Sequence, residues 1–417
     1  MNPNTSGTSS ASGGKNATGG TSSATGGKNS TGGASSGVGG TSGGVGGTSA
    51  GVGGKTASTG GTSTGMGGNS SVNDGKVRCV GRVVPIDATS AKFAWQGAGL
   101  IANVSGSTIS VKLRTEGTDT VYFQPVIDHR VLDRFKVDSG TDATVTLGTG
   151  LGTGEHLVEL YRETEGNYGM STFVGFTAGT VTGAPATNGR LLEVVGDSIS
   201  AGYGNLGVEP HPNWTANPSC TWTAQNSSWY ATYAAVAGHA LGAEVSTVAK
   251  SGWGMYRDNG NNTSNVLSKV YPNALGITDS TKWDFAPKAS AVVINLGTND
   301  WANNYQGSQD PGTAYETAYV QFIATVRSHY PDAWIFIVIG PMLSDPELTQ
   351  VKTRLANVVT KVQSSTNDTK IATFDFGSQN LGSNGEIPSG CDWHPSVDEH
   401  KRMAGILQTQ LTAKLGW

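Results

Sequence analysis

The sequence reads as an α/β protein: a three-layer α/β/α domain with a mostly parallel sheet, preceded by a small all-β domain and a disordered tail. Three observations lead there. Composition changes abruptly near residue 75, short runs of period two fill residues 77 to 182, and strand and helix patterns alternate from residue 190. The chain has 417 residues, long enough for two cores.

Residues 1–75 differ from the rest of the chain in composition. Of the 61 glycines, 24 fall within residues 1–70, and residues 1–73 hold no acid, histidine or aromatic residue. Variants of Gly-Gly-Thr-Ser and Gly-Val-Gly-Gly recur, as in Gly39-Gly40-Thr41-Ser42. Such a segment cannot bury enough apolar surface to offset the entropy of ordering it. It is expected to be a flexible, low-complexity linker, with a mean span of roughly 40–50 Å as a Gly/Ser/Thr coil. Its N-terminus, Met1-Asn2-Pro3-Asn4-Thr5, runs straight into polar residues and shows no export leader.

Charge and cysteine content exclude several classes. Residues 1–73 carry three lysines and no acids, which leaves 24 bases against 31 acids and a net charge of −7 for the rest. A nucleic-acid partner is therefore not expected. No run of 18 apolar residues exists, so no ordinary membrane helix is expected. Three cysteines are too few for a disulfide-dense scaffold or a cysteine-rich zinc site.

The β domain is expected over residues 76–182. Val83-Val84, Phe93-Ala94-Trp95, Ile109 to Leu113, Val121-Tyr122-Phe123, Val131 to Val137, Val145-Thr146-Leu147 and Leu157 to Tyr161 are short runs separated by Gly, Asp or Asn. Many short strands at this spacing read as a sandwich or jelly roll. Asp128-His129-Arg130 is its one polar cluster, and a histidine on such a turn is expected to face solvent.

Residues 183–189 are a short connector, and 190–417 form the second domain. Leu191 to Val195, Ala289 to Leu296, Trp334 to Ile339 and Lys370 to Phe374 are strands. Ser228 to Leu241, Tyr315 to His329 and Val351 to Val362 are helices. A last helix begins near His394-Pro395, with Ala404, Leu407, Leu411 and Leu415 on one stripe. Apolar strands alternating with helices predict a parallel sheet covered on both faces. Sites in that class lie at the carboxyl ends of the strands.

Four strand ends carry chemistry. Gly196-Asp197-Ser198 follows the first strand, and a serine on a strand-to-helix turn is well placed as a nucleophile. Ser251-Gly252 follows a further strand end read at Lys250, where a glycine N–H can approach an oxyanion. Gly297-Thr298-Asn299-Asp300 follows the strand ending at Leu296. Its asparagine offers a donor that stays neutral at any working pH. Asp392-Trp393-His394-Pro395 precedes the last helix, and His394 there can serve Ser198 as general base.

Together these blocks resemble the SGNH/GDSL hydrolase superfamily over roughly residues 190–417. The resemblance implies an ester hydrolase with a flavodoxin-like sheet and a Ser198–His394 pair. It also implies an oxyanion hole from Ser198 N–H, Gly252 N–H and the Asn299 side chain. The β domain in front, Gly202-Tyr203-Gly204-Asn205 and Gly340-Pro341-Met342 narrow the resemblance to carbohydrate esterase family 2. That family removes acetyl groups from xylan, glucomannan and related plant polysaccharides, and some members bind cellulose or glucan chains. It implies an extracellular enzyme without metal or organic cofactor; the tail favours a monomer.

One position departs from the superfamily pattern. The triad acid usually stands three residues before the histidine, where this chain has Cys391; Asp392 stands two before. Within the family some members use an aspartate and others a backbone carbonyl, so Asp392 either orients His394 or only caps the helix. Cys220 and Cys391 are a candidate disulfide pinning two site loops, which leaves Cys79 unpaired. Trp214, Trp222, Trp253, Trp301 and Trp393 are candidate platforms for pyranose rings. A lipase or thioesterase-like relative would need an apolar acyl groove, and these loops are polar and aromatic. A non-catalytic glycan-binding protein would have no chemical need for Ser198, Asn299 and His394 together.

Overall fold

The computed structural model describes residues 71–209, 220–302, 309–381 and 388–417. The linker up to residue 70, and Trp214, lie outside the described residues. The β domain starts a little earlier than expected. Ser71–Val72 pairs antiparallel with Arg78 and Val77, and Val72 is buried, so these residues belong to the fold rather than to the tail.

All strands between Ser71 and Gly183 pair antiparallel. The organiser is one long strand, Gly99–Glu116. Its first half pairs with Glu155–Arg162 and its second half with Asp142–Thr149, while Met170–Gly183 runs along its other edge through several bulges. Asp128 and His129 form the hairpin turn with φ of +51° and +64°, the positive values a two-residue hairpin requires. His129 is exposed there, as expected.

Among the described residues, the second domain has five parallel strands: β1 (Leu191–Gly196), β2 (Glu244–Ala249), β3 (Ala291–Asn295), β4 (Trp334–Ile339) and β5 (Ile371–Asp375). Their spatial order is β2-β1-β3-β4-β5. The α-helical segments described between and after them are α1 (Ser198–Ala201), α2 (Tyr233–Ala240), α3 (Leu267–Val270), α4 (Thr298–Trp301), α5 (Thr313–His329), α6 (Glu347–Thr366) and α7 (Val397–Leu415). Successive strand residues point to opposite faces. Val195, Ile294, Ile335 and Ile337 join the core beneath α5 and α6; Val194, Val293, Phe336 and Val338 join the core beneath α2 and α7. Burial on both faces explains why these strands read as unbroken apolar runs. Strand order reverses beside β1, and a crevice for ligands opens at the carboxyl ends there.

The two cores interlock. Trp95 of the β domain is fully buried in the core under α5, and its indole N–H donates to Asn273 O at 3.1 Å. Val80, Ile101, Val126 and Tyr161 enter the core under α2. Arg82 lies 3.2 Å from Glu193 of β1, whose other oxygen accepts from Tyr330 Oη at 2.7 Å. A buried pair of this kind costs about 3–5 kcal/mol to break from one side, because the remaining charge stays in the interior. The β domain is thus built into the α/β domain rather than tethered to it.

Candidate active site

The β1 strand ends at Gly196, and Asp197 caps α1 by accepting from Ile199 N at 3.0 Å. That turn lifts Ser198 to the strand-end crevice. His394 arrives from the loop before α7. Its Nε2 lies 2.7 Å from Ser198 Oγ. The other ring nitrogen, Nδ1, lies 3.2 Å from Cys391 O and 3.1 Å from Asp392 O. Carbonyl oxygens only accept, so Nδ1 carries the proton and Nε2 presents its lone pair to the serine hydroxyl. Burial pushes the imidazole down to about 4, against the smaller upward pull of those two carbonyls. It is therefore neutral and able to take a proton at ordinary pH.

The Asp392 carboxylate, left open above between orienting His394 and capping the helix, takes other partners in this geometry. Asp392 and Trp393 both adopt left-handed backbone, with φ of +51° and +61°. The turn brings main-chain oxygens to the imidazole, while Asp392 Oδ2 accepts instead from Tyr203 Oη at 2.7 Å and Trp222 N at 3.2 Å. The arrangement is a Ser–His pair oriented by backbone. Tyr203 also stacks on the His394 ring, with centroids 4.2 Å apart, and so lies against both the imidazole and the Asp392 carboxylate.

Cys220 and Cys391 are joined, their Cα atoms 4.6 Å apart, and Cys79 is free and buried. The bridge fixes the residue whose carbonyl holds His394. Cys391 N also donates to Gly204 O at 2.9 Å. Gly204 has φ of +59°, and a Cβ there would come within 2.7 Å of the Cys391 Cβ. The Gly-Tyr-Gly segment after the serine is thus shaped to admit the histidine loop.

The second strand end forms a turn at Ser251-Gly252, with Gly252 at φ of +79°. Asn299 stands opposite in α4. Its Nδ2 donates to Trp253 O at 3.0 Å and lies 3.4 Å from Asp197 Oδ2. The next residue, Asp300, is fully buried and accepts from Met255, Tyr256 and Arg257 N–H at 2.8, 2.7 and 3.0 Å. Burial nevertheless pushes its carboxyl up to about 6, and that of Asp197 up to about 7. Ser198, Gly252, Asn299 and His394 line one pocket of about 420 Å³, with Tyr203, Trp253, Asp258 and Asn259 among its other walls. A cleft of about 480 Å³ at the amino ends of the strands, lined by Tyr161, Tyr230 and His239, brings no nucleophile to a base among the described residues.

The tryptophans divide. Trp253 lines the pocket. Trp222 is half-buried and stacks on Tyr168 at 4.2 Å. Trp393 is 46% exposed beside the histidine. Trp301 is not a platform: it is fully buried against Tyr315 and donates to Gln350 Oε1 at 3.0 Å. It lies on the inward side of α4, where Asn299 takes the pocket side.

Sequence reasoning missed three contributors. Tyr203 lay in a quoted segment without a role. Asp300 lay in a motif block, but its three backbone partners are 43–45 residues away. Glu165 comes from the β domain and accepts from Ser251 N at 2.8 Å. No local pattern marks these long-range pairings.

Comparison with known proteins matches both domains to described families. Residues 79–186 match the carbohydrate esterase 2 N-terminal family, and residues 194–402 match the GDSL-like lipase/acylhydrolase family. The cellulase/esterase CelE of Acetivibrio thermocellus is 34% identical over 340 residues, which are 81% of this chain and 39% of that longer protein. An acetylxylan esterase/glucomannan deacetylase of Cellvibrio japonicus is 26% identical over 83% of this chain and 91% of its own length. A family two carbohydrate esterase from Clostridium thermocellum, solved with cellohexaose, superposes with a TM-score of 0.73 at 33% identity. It covers 82% of this chain and 99% of its own. Matches to both halves in this order, together with the Ser198–His394 pair, place the chain in family 2 of the carbohydrate esterases.

Proposed function

We propose that the protein is a serine esterase that removes O-acetyl groups from plant cell-wall polysaccharides such as xylan and glucomannan. The observation that carries this reading is the 2.7 Å contact of Ser198 Oγ with a neutral, buried His394 in the pocket that Gly252 and Asn299 also line. His394 takes the hydroxyl proton as Ser198 attacks the acetyl carbonyl. Ser198 N–H, Gly252 N–H and Asn299 hold the charge that develops on the carbonyl oxygen. His394 then returns the proton to the departing sugar hydroxyl, and a water activated by the same imidazole releases acetate from the serine.

The walls favour a small acyl group on a large alcohol. Among the described residues they are mainly polar, without the aliphatic groove a long acyl chain needs. Trp222, Tyr168 and Trp393 offer faces on which pyranose rings can stack. The names of similar proteins, acetylxylan esterase and glucomannan deacetylase, point to the same substrates. Glucan chains are a further candidate ligand of the same cleft, since one solved relative carries cellohexaose. Polymers of this size are met outside the cell. The Cys220–Cys391 bridge suits an oxidising compartment, so we place the enzyme there.

The test is acetate release from acetylated xylan and acetylated glucomannan, with 4-nitrophenyl acetate and a long-chain ester alongside, for wild type and Ser198→Ala. Release from polymer that disappears in the variant is expected. Turnover of the long-chain ester alone would favour a lipid esterase, and binding of glycan without any turnover would favour a non-catalytic role.

A second expectation concerns Asp392. Replacing a triad acid with its amide costs about 10⁴-fold in turnover, because the histidine takes the wrong tautomer. Here main-chain oxygens fix the tautomer. Asp392→Asn should lose less than about 10-fold in kcat on 4-nitrophenyl acetate. Protonation of His394 removes the lone pair it needs, so wild-type rate should fall only as pH drops through about 4. That acid limb should stay put or move lower in Asp392→Asn, since the carboxylate can only raise the imidazole. A loss near 10⁴ would return the acid's role to the Asp392 side chain.

A further inference from the structure

The turn that carries Gly252 is held from both sides by buried carboxylates. On its far side stands Asp300, already described, which takes the N–H groups of residues 255–257. On its near side stands Glu165, which belongs to the β domain. It follows the strand Glu155–Arg162 and is only 4% exposed. One of its oxygens accepts from Ser251 N at 2.8 Å and the other from Ser251 Oγ at 2.5 Å. Lys250 Nζ lies 3.3 Å from the first oxygen and donates to Ser251 O at 2.8 Å. Both atoms Ser251 can donate with are therefore used by one carboxylate, and its carbonyl is held by Lys250.

From this geometry we infer that Glu165 is a positioning residue for the Gly252 N–H, so that the β domain completes the oxyanion site of the α/β domain. The inference rests on the esterase reading. Ser251 directly precedes Gly252, so its hydrogen bonds help set the peptide plane that aims the Gly252 N–H. With φ of +79°, Gly252 has a wide conformational choice, and a turn of that kind needs an external hold to keep one orientation. Two charge-assisted bonds from a buried acid supply it. Glu165 does not line the pocket and is not a catalytic residue. It acts through Ser251.

A neighbouring carboxylate provides the control. Glu163, two residues earlier on the same segment, is equally buried. It accepts from Ser228 Oγ at 2.9 Å and Tyr230 N at 2.8 Å, and so ties the β domain to the segment before α2 rather than to the Gly252 turn. A loss of domain packing should appear in either variant; a loss of oxyanion aim should appear in one.

The experiment compares Glu165→Gln and Glu163→Gln in the full chain. The glutamine keeps one acceptor at residue 165 and loses the second together with the charge. Glu165→Gln should lower kcat for 4-nitrophenyl acetate about 10- to 100-fold with KM little changed, the effect expected of a small misplacement at the reacting centre. Glu163→Gln should lower the melting temperature while holding kcat within about threefold. Hydrogen exchange over residues 250–257 should speed up in Glu165→Gln alone. Equal losses in both variants that follow their melting temperatures, or wild-type exchange and kcat in Glu165→Gln, would overturn the inference. If wild type itself shows no Ser198-dependent turnover, the esterase reading fails on that ground, and the exchange measurement still decides whether Glu165 holds the turn.

Discussion

Ser198→Ala and His394→Ala are each expected to lower kcat for acetyl-ester hydrolysis by at least about 10⁴-fold, and the double variant should be little worse than either. The 2.7 Å contact is the reason. The serine hydroxyl is a weak nucleophile until a base removes its proton, and the base has nothing to do without the serine. Groups that act as one unit lose their joint effect at the first deletion, so the two losses do not add. Burial sharpens the expectation. Among the described residues His394 meets main-chain oxygens rather than a carboxylate at Nδ1, so no acid there can replace it when it is removed. Neither variant should disturb the fold much, because the Cys220–Cys391 bridge and the Gly204–Cys391 contact hold the loops independently of the pair. The check is steady-state kinetics on 4-nitrophenyl acetate for the three variants, with melting temperatures alongside. Two losses that multiply in the double variant would show that Ser198 and His394 act separately, and would sink the shared mechanism.

The parallel sheet was legible because its physics is local. Strand Trp334–Ile339 is found with the bounds its apolar run predicts, and the other predicted strands shift by a residue or two. Helix ends were less legible. The expected helix from Ser228 begins at Tyr233, because Ser228 and Thr232 instead bond within turns: Ala231 N donates to Ser228 Oγ and Thr232 Oγ1 to Trp229 O. The long strand Met170–Gly183 was not singled out, since its glycines and threonines blunt the apolar alternation on which strand reading depends. Trp95 was read as a strand residue of its own domain and instead anchors the neighbouring core. Sequence periodicity says that a side chain is buried, not against which layer.

The candidate site was legible at the strand-end residues that share its pocket and illegible around them. Ser198, Gly252, Asn299 and His394 each follow a strand or precede a helix, so placement in the topology brought them to one pocket. Supporting groups reach across the fold instead. Glu165 meets Ser251 from 86 residues away, and Asp392 meets Tyr203 from 189. Whether Asp392 faced the imidazole depended on two left-handed residues at 392 and 393, which neither residue type announces. Trp301 had the same motif neighbourhood as Asn299, yet the helical turn sends the two side chains to opposite sides.

Asn299→Ala should lower kcat about 10²- to 10³-fold while leaving KM for a small acetyl ester nearly unchanged. The amide donates one N–H to Trp253 O at 3.0 Å, which sets its plane. Its second N–H has only a long approach, 3.4 Å, to Asp197 Oδ2, and is the one left for a developing oxyanion. A bond that strengthens as charge appears on the carbonyl oxygen lowers the barrier without tightening the ground-state complex. The isosteric Asn299→Asp should be worse than the alanine variant. It sets a third carboxyl beside Asp197 and Asp300, both fully buried, whose pKa values burial already pushes up to about 7 and about 6. If ionised, the introduced carboxylate would repel the oxyanion; if protonated, it would offer a donor only when its hydroxyl faced the pocket. Rate in Asn299→Asp should therefore recover as pH falls, the reverse of the wild-type trend at the His394 acid limb. Full kcat in Asn299→Ala would remove Asn299 from the oxyanion site and leave the charge to the two backbone N–H groups. A fall in both kcat and melting temperature, relieved by no change of pH in Asn299→Asp, would assign the residue to holding the Trp253 turn instead.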